Sequence, residues 1–300
     1  MLAAAALAGC GLGAGATPKG ISLTVTREFG GERMLATSAP KISGSQTVMG
    51  LLQRNEKVTT KYSGGFVQSI DGHSEAKEAG KPVSWFYYIN GLEATKGAAD
   101  TNVHEGDHIW WDLHDWGQTD HISAVVGSFP EPFLDGLEGR KFPVRIGCDE
   151  PHEGPCHTIA KRLTALDVPS AFAVVSPTIE ALETLTVLVG TWSQLKLSPA
   201  AHLIEEGPKK SGVYAKVIGK GKSFVLLNPE GTPAQSLGAG SGLVAATTYP
   251  DEGPTWLITG TNEAGVKRAV EAFNAATLDN HFAVAISPQG KALPIPQTSG

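Results

Sequence analysis

Beyond its opening residues, this 300-residue chain has no apolar run approaching the roughly 20 residues that a membrane-spanning helix requires. A later spanning segment is therefore excluded. Catalytic signatures are also missing. No helix carries a His-Glu-x-x-His zinc pair, no Cys-x-x-Cys occurs, and no Gly-x-Ser-x-Gly elbow is present. Positive charge is scarce as well. The formal net charge is −6, and residues 20–140 hold 10 Lys and Arg against 16 Asp and Glu. Such a surface is wrong for nucleic acid, whose phosphates reward basic proteins, and for adhesion to anionic lipid. Cysteine is scarcer still, at three residues.

What is present begins at the first residues. The apolar stretch Met1–Leu7 runs into Leu7-Ala8-Gly9-Cys10, with a small-residue linker behind it to about residue 20. This resembles a bacterial lipoprotein signal, in which Cys10 becomes the lipidated first residue of the mature chain. The resemblance implies an extracytoplasmic protein, anchored to the cell membrane by an N-terminal lipid, in an oxidising space. The alternative is a chance cysteine in an alanine-rich start. Signal peptides open on a basic segment, and no Lys or Arg precedes Lys19, so the true start is expected upstream.

With Cys10 assigned to the lipid, Cys148 and Cys156 remain. An isolated even pair in an oxidising compartment reads as a disulfide, closing a short loop turned by Pro151, Gly154 and Pro155. The rivals are a metal site from Cys148, His152, Cys156 and His157, whose spacing matches no usual zinc pattern, and free thiols.

Residues 21–127 read as one unit. Ile21–Thr26 alternates apolar and polar, as a strand does. Ser45–Leu52 reads as a short helix with a Ser/Thr start, and Gly64–Gly72 as a strand ending in an Asp-Gly turn. Trp85–Ile89 is an aromatic strand closed by Asn90-Gly91, a hairpin signal. Glu105-Gly106-Asp107 turns into the strand His108–Trp116. The order and spacing of Ser45–Leu52, Phe66–Gly72, Trp85–Gly91 and Glu105–Trp111 resemble the transcobalamin-like C-terminal domain family, over about residues 21–125. That resemblance implies a β-grasp-like roll, and it makes cobalamin a possible ligand. In the family a helical barrel holds the other face of cobalamin, and no such barrel is found in this chain.

Residues 128–140, rich in Pro and Gly, read as a connector. Residues 141–290 alternate strand and helix patterns, which predicts an α/β layered domain, with 291–300 as a disordered tail. Ala171–Val175 and Leu185–Val189 are unbroken apolar runs, as buried strands often are. Glu263–Thr277 has the spacing of one amphipathic helix. The fold class expected for the whole is α+β.

Chemistry is sparse in the second half. Gly260-Thr-Asn-Glu-Ala-Gly265-Val-Lys267 is similar to a phosphate loop, but its Lys is one place late and no Ser or Thr follows it. An ordinary strand–turn–helix corner capped by Thr261 or Asn262 is the plainer reading. Ser241, within Gly238–Gly242, lacks any partner placed by a motif. The strand after Asp107 is richer. Period 2 puts His108, Trp110, Asp112, His114 and Trp116 on one face, with Ile109, Trp111 and Leu113 on the other. Flat aromatics beside hydrogen-bonding groups suit a planar polar ligand, and two imidazoles with a carboxylate suit a divalent metal. The plain alternative is a face packed against the next domain. Trp85, Tyr87, Trp110, Asp112, His114 and Trp116 are the expected ligand-binding residues, with no catalytic residue assigned and no cofactor predicted.

The expected function is non-catalytic binding of a small molecule at the cell surface, with the lipid as the only membrane attachment, a transporter as a possible partner and no nucleic acid. A module for holding a protein or glycan is the first alternative. An enzyme with its site in the second domain is the second.

Overall fold

The computed structural model describes residues 16–74, 77–78, 80–148, 154–175, 183–249 and 253–298. The lipobox-like segment and Cys10 lie outside the described residues, as does His152. The chain is α+β, with an N-terminal β-grasp-like roll and an α/β layered C-terminal domain.

In the roll, Ser22–Arg27 pairs antiparallel with Glu32–Thr37 and parallel with His108–Asp115. Lys81–Ile89 pairs antiparallel on the far side of His108–Asp115, with Tyr87 opposite Trp111 and Tyr88 opposite Trp110. The helix Val48–Asn55 starts where the Thr47 hydroxyl accepts the Gly50 N–H at 3.1 Å. Its Val48, Met49, Leu51 and Leu52 are buried with Leu23, Val25, Ile109 and Trp111, so the helix covers one face of the sheet. Each such side chain contributes about 1.5–3 kcal/mol through its removal from water, which fixes this pairing against a one-residue slip. The Asn-Gly turn forms as its residues demand, with φ of +55° at Asn90 and +78° at Gly91.

The C-terminal sheet has seven strands, in the spatial order Ser170–Ala173, Val144–Gly147, Leu185–Thr191, Pro254–Gly260, Gly242–Thr248, Ala283–Ile286 and Ala292–Ile295. The first four run parallel, and the remaining pairings are antiparallel. The helices Gly154–Ala165 and Glu263–Ala272 share a core with Val187, Val244, Trp256 and Ile258 on one face. The other face, with Leu243, Ala245 and Leu257, packs on the helix Pro199–Glu206 and on a three-stranded sheet of Ala215–Ile218, Ser223–Leu227 and Pro233–Leu237.

Three expectations are corrected here. Ser170–Ala173 is the edge strand of the sheet among the described residues, and Phe172 is partly exposed. The long helix stops at Ala272, and Asn274 caps a separate turn, Ala275–Leu278. The expected tail instead supplies the last strand, Ala292–Ile295, and the Gln297 N–H donates to the Leu227 carbonyl at 2.9 Å.

The Pro/Gly-rich connector is not a solvated linker. Phe133 is 3% exposed and packs on Trp256 at a ring separation of 5.0 Å, and Phe129 meets Phe273 at 4.6 Å. The segment read as a connector therefore wedges into the core. Cys148, just past a parallel strand, is disulfide-bonded to Cys156 in the first turns of the following helix. Both are buried, so the bridge pins strand to helix from inside the core.

Candidate functional site

The six residues expected to border one site do not share a face. Trp85 and Tyr87 point to the helix-covered side with Trp111 and Leu113. There the Trp85 indole N–H donates to the His73 carbonyl at 3.1 Å, and the Tyr87 hydroxyl donates to the Lys96 carbonyl at 2.6 Å. Trp110, Asp112 and His114 point to the opposite side, and this side is covered by the second domain. Trp110 is fully buried, its indole N–H donating to the Thr26 hydroxyl at 2.7 Å while its ring meets Phe282 at 5.3 Å. Trp116, at 40% exposure, stands alone beyond the strand end. Period 2 separated Trp110, Asp112 and His114 from Ile109, Trp111 and Leu113 within this strand, and Trp116 falls outside it. The register of one strand against the other, which assigns Trp85 and Tyr87 to the helix side, is not readable from spacing.

Asp112 is fully buried, and it is satisfied from a distant part of the chain. Its carboxylate accepts the Phe29 N–H at 3.1 Å, the Gly30 N–H at 2.9 Å and the Thr26 hydroxyl. It also holds His114 Nδ1 at 2.8 Å. The His114 ring is clamped between Phe29 and Phe86, with centroids 4.6 and 4.5 Å away. This carboxylate–imidazole pair is rigid, and it sits on the seam between the domains.

Among the described residues, cavities open along that seam. The smaller, of about 260 Å³, is bordered by His114, Phe29, Arg27, Asp115 and Glu230 among others. Lys81 and Glu230 form an ion pair across the seam at this point. The larger is a cleft of about 1280 Å³. Its walls come from the roll (Leu92, Glu93), the connector (Leu137, Arg140) and the second domain (Phe142, Leu203, Tyr249). Glu93 is a polar group of this wall with two partners. Its carboxylate accepts the Ile122 N–H at 2.8 Å and holds His121 Nδ1 at 2.6 Å. The hydrogen bond to Glu93 raises the His121 imidazole above its ordinary titration value. Arg140 and Glu183 pair across the rim at 2.8 Å. An apolar floor with a balanced polar rim is the make-up of an organic-ligand site.

Metal chemistry finds less support. His104-Glu105-Gly106-Asp107-His108 does spell a His-Glu-x-x-His spacing, but it runs through a turn into a strand instead of along a helix. His104 Nδ1 lies 3.7 Å from Asp107, while His108 Nε2 turns away to Thr24 at 3.0 Å. Burial pushes the His108 imidazole down to about 4, so it stays neutral. Among the described residues, no three His, Cys, Asp or Glu side chains converge as a metal site. Asp107 has a structural partner instead. Asn90 Nδ2 donates to it at 3.1 Å and to the Gly136 carbonyl at 2.9 Å, tying both turns to the connector.

The phosphate-loop-like segment is a packed corner. Asn262 caps the helix Glu263–Ala272 by accepting the Gly265 N–H at 3.0 Å. Ser241 donates its hydroxyl to the Gly238 carbonyl at 2.6 Å and is engaged in that turn.

Comparison with known proteins finds a family match over one segment of the chain. Residues 45–115 match the model of a domain of unknown function, DUF4430. That segment lies inside the roll and includes the strands carrying Trp85 through Asp115. No curated protein matches the chain. Among solved structures, the chain is similar to a candidate metal binding protein from Ruminococcus gnavus, at 18% identity and a TM-score of 0.26. That likeness covers 32% of this chain and 97% of the other.

Proposed function

We propose that this protein is an extracytoplasmic lipoprotein, anchored through Cys10, that binds a small organic molecule without transforming it. The observation that carries the reading is the 1280 Å³ cleft, whose walls require both domains and the connector together. Ligand pockets favour such domain junctions, and this one exceeds the few hundred Å³ that a simple metabolite fills. The roll's resemblance to transcobalamin-like domains makes cobalamin the first compound to try. A transporter would be the natural recipient of a ligand captured at the membrane surface.

Native mass spectrometry of protein purified from its host tests the binding, through co-purifying small molecules. Tyr249→Ala and Phe142→Ala should lower their occupancy. Recovery of the protein with no retained molecule, together with no response to cobalamin, would reject the cleft as a ligand site. Changing Cys10 to Ala tests the anchor separately. Release from membranes or an unprocessed precursor is expected, and unchanged fractionation of a soluble parent and variant would reject lipidation.

A second reading, a surface that holds a protein, draws on the open edge of Ser170–Ala173, where Phe172 and Val174 are exposed. It predicts a partner that survives stripping of small molecules from the cleft.

A further inference from the structure

We propose that the outer face of the three-stranded sheet, with the hairpin tip Gly219–Lys222 and the neighbouring Lys196 and Leu197, docks on an anionic lipid surface. This contact is separate from the cleft, and it does not depend on a lipid at Cys10.

The first observation is charge. Residues 192–222 hold six Lys, at 196, 209, 210, 216, 220 and 222, with no Arg and with two acidic residues, Glu205 and Glu206. That is a local net of +4 in a chain whose formal net charge is −6. Glu205 is already engaged, accepting the Trp192 indole N–H at 3.0 Å, and Glu206 lines the cleft. None of the six lysines has an ion-pair partner among the described residues. Lysines elsewhere do have one. Lys81 pairs with Glu230, Lys96 with Glu138 and Lys141 with Asp135. Four of the unpaired ammonium groups, Lys196, Lys216, Lys220 and Lys222, are exposed around the hairpin. The acidic character that disfavours anionic lipid belongs to residues 20–140, and this surface has the opposite sign.

The second observation is placement. Gly221 in the hairpin tip packs on Trp192, so closely that a Cβ there would lie 3.0 Å from the Trp192 Cβ. Trp192 begins the short helix Trp192–Leu195, and Lys196 and Leu197 follow it directly. The tip and this helix end are therefore neighbours. Period 2 in Ala215–Ile218 turns Ala215 and Val217 toward the core and leaves Lys216 and Ile218 outward.

The third observation is apolar exposure among the lysines. Leu197 is 60% exposed and Ile218 is 47% exposed. This mixture separates one polyanion from another. Nucleic acid is held by Arg forks and stacking aromatics, and this patch has no Arg and no exposed aromatic ring. A lipid surface takes both parts of the patch. Lysines meet the headgroups as point charges, while aliphatic side chains enter the acyl boundary.

The test uses the full chain carrying Leu2→Ser, Leu7→Ser and Cys10→Ala, so that neither the apolar start nor an acyl chain contributes. Co-sedimentation with vesicles of equimolar phosphatidylglycerol and phosphatidylcholine should exceed that with pure phosphatidylcholine by about tenfold or more, and should fall as salt is raised. Each lysine near such a surface is worth about fivefold in partitioning, so adding Lys220→Gln/Lys222→Gln should weaken binding about 25-fold. Lys161→Gln/Lys267→Gln removes the same charge from exposed positions on the two helices that cover the opposite face of the seven-stranded sheet, and should bind as the parent does. Leu197→Ser/Ile218→Ser should weaken binding about tenfold. Every altered side chain in these pairs is exposed, and unchanged melting temperatures would confirm that the variants fold. Equal binding to the two kinds of vesicle, equal losses in the two lysine pairs, or parent-like binding of the apolar pair would each overturn the proposal. Preferential capture of RNA or polyglutamate over anionic vesicles would assign the patch to a different polyanion and overturn it as well.

Discussion

Phe282, at the start of a C-terminal strand, packs edge-on against Trp110 of the N-terminal roll, with ring centroids 5.3 Å apart. The same phenyl ring also meets Tyr88 at 5.6 Å and His114 at 5.3 Å. One side chain of the second domain therefore fills the centre of the face that the roll's strand pattern offers as a binding surface. The two domains share a hydrophobic core across this seam, while the helix-covered side of the roll has a core of its own.

Trp110→Ala should accordingly be a stability mutation. Removing a fully buried indole costs about 3–5 kcal/mol. It also removes the indole N–H that the Thr26 hydroxyl accepts, while that hydroxyl keeps its bond to Asp112. Urea unfolding followed by tryptophan fluorescence and by far-ultraviolet dichroism should show a lower midpoint with one shared transition. Phe282→Ala should produce the same signature from the other side of the seam. Two separate transitions in the parent protein, or a loss below about 1 kcal/mol, would contradict the shared core.

The Cys148–Cys156 bridge spans a sequence separation of 8. Closing so short a loop removes little unfolded-state entropy, and the stabilisation expected is about 2.5 kcal/mol. Both cysteines are buried, at 2% and 4% exposure, so mild reductant should reach them only on unfolding. Thiol labelling in denaturant without reductant should find neither reactive. Two labelled thiols would show that the bridge is absent.

Glu131 gives the molecule a predictable pH response. Burial in the connector, with Asp135 and Asp107 nearby, pushes its carboxyl up to about 8. The Asp107 carboxyl is raised too, again chiefly by burial. The unfolded chain releases the Glu131 proton near the ordinary value of 4.5, whereas the folded chain holds it to about 8. Between those values the native state binds more protons, so stability falls as pH rises. Denaturation midpoints measured from pH 5 to 8.5 should decline, and Glu131→Gln should flatten that slope. An identical slope in the variant would remove Glu131 as its source.

The alternation of apolar residues made the strands of both domains legible, and Thr47 and Asn90-Gly91 marked a helix start and a hairpin. What alternation does not encode is whether the second face of a strand meets water or another layer. Every residue from Ile109 to His114 is buried, so polar Asp112 and His114 read as a ligand face while serving a seam. The donors that make Asp112 tolerable are backbone N–H groups of Phe29 and Gly30, more than eighty positions away. No local pattern carries that information. Gly and Pro in the connector equally suit a linker and a tight wedge, and the aromatic residues Phe129 and Phe133 were the readable sign of the second.

The corner Gly260–Lys267 separates a structural glycine motif from an anion site. A Cβ on Gly265 would lie 2.0 Å from the Ser241 carbonyl oxygen, and one on Gly260 would lie 2.2 Å from the Val266 nitrogen. The glycines exist because helix and strand touch there, backbone against backbone. The helix start is also occupied. Asn262 takes the Gly265 N–H through its side chain and the Val266 N–H through its carbonyl, and Glu263 adds a negative charge to the first turn. Gly265→Ala should therefore cost about 1–3 kcal/mol through overpacking. Inorganic phosphate should not raise the melting temperature of the parent beyond the effect of equal ionic strength. A phosphate-specific stabilisation that disappears in Gly265→Ala would instead mark this corner as an anion site, and would move the search for function into the second domain.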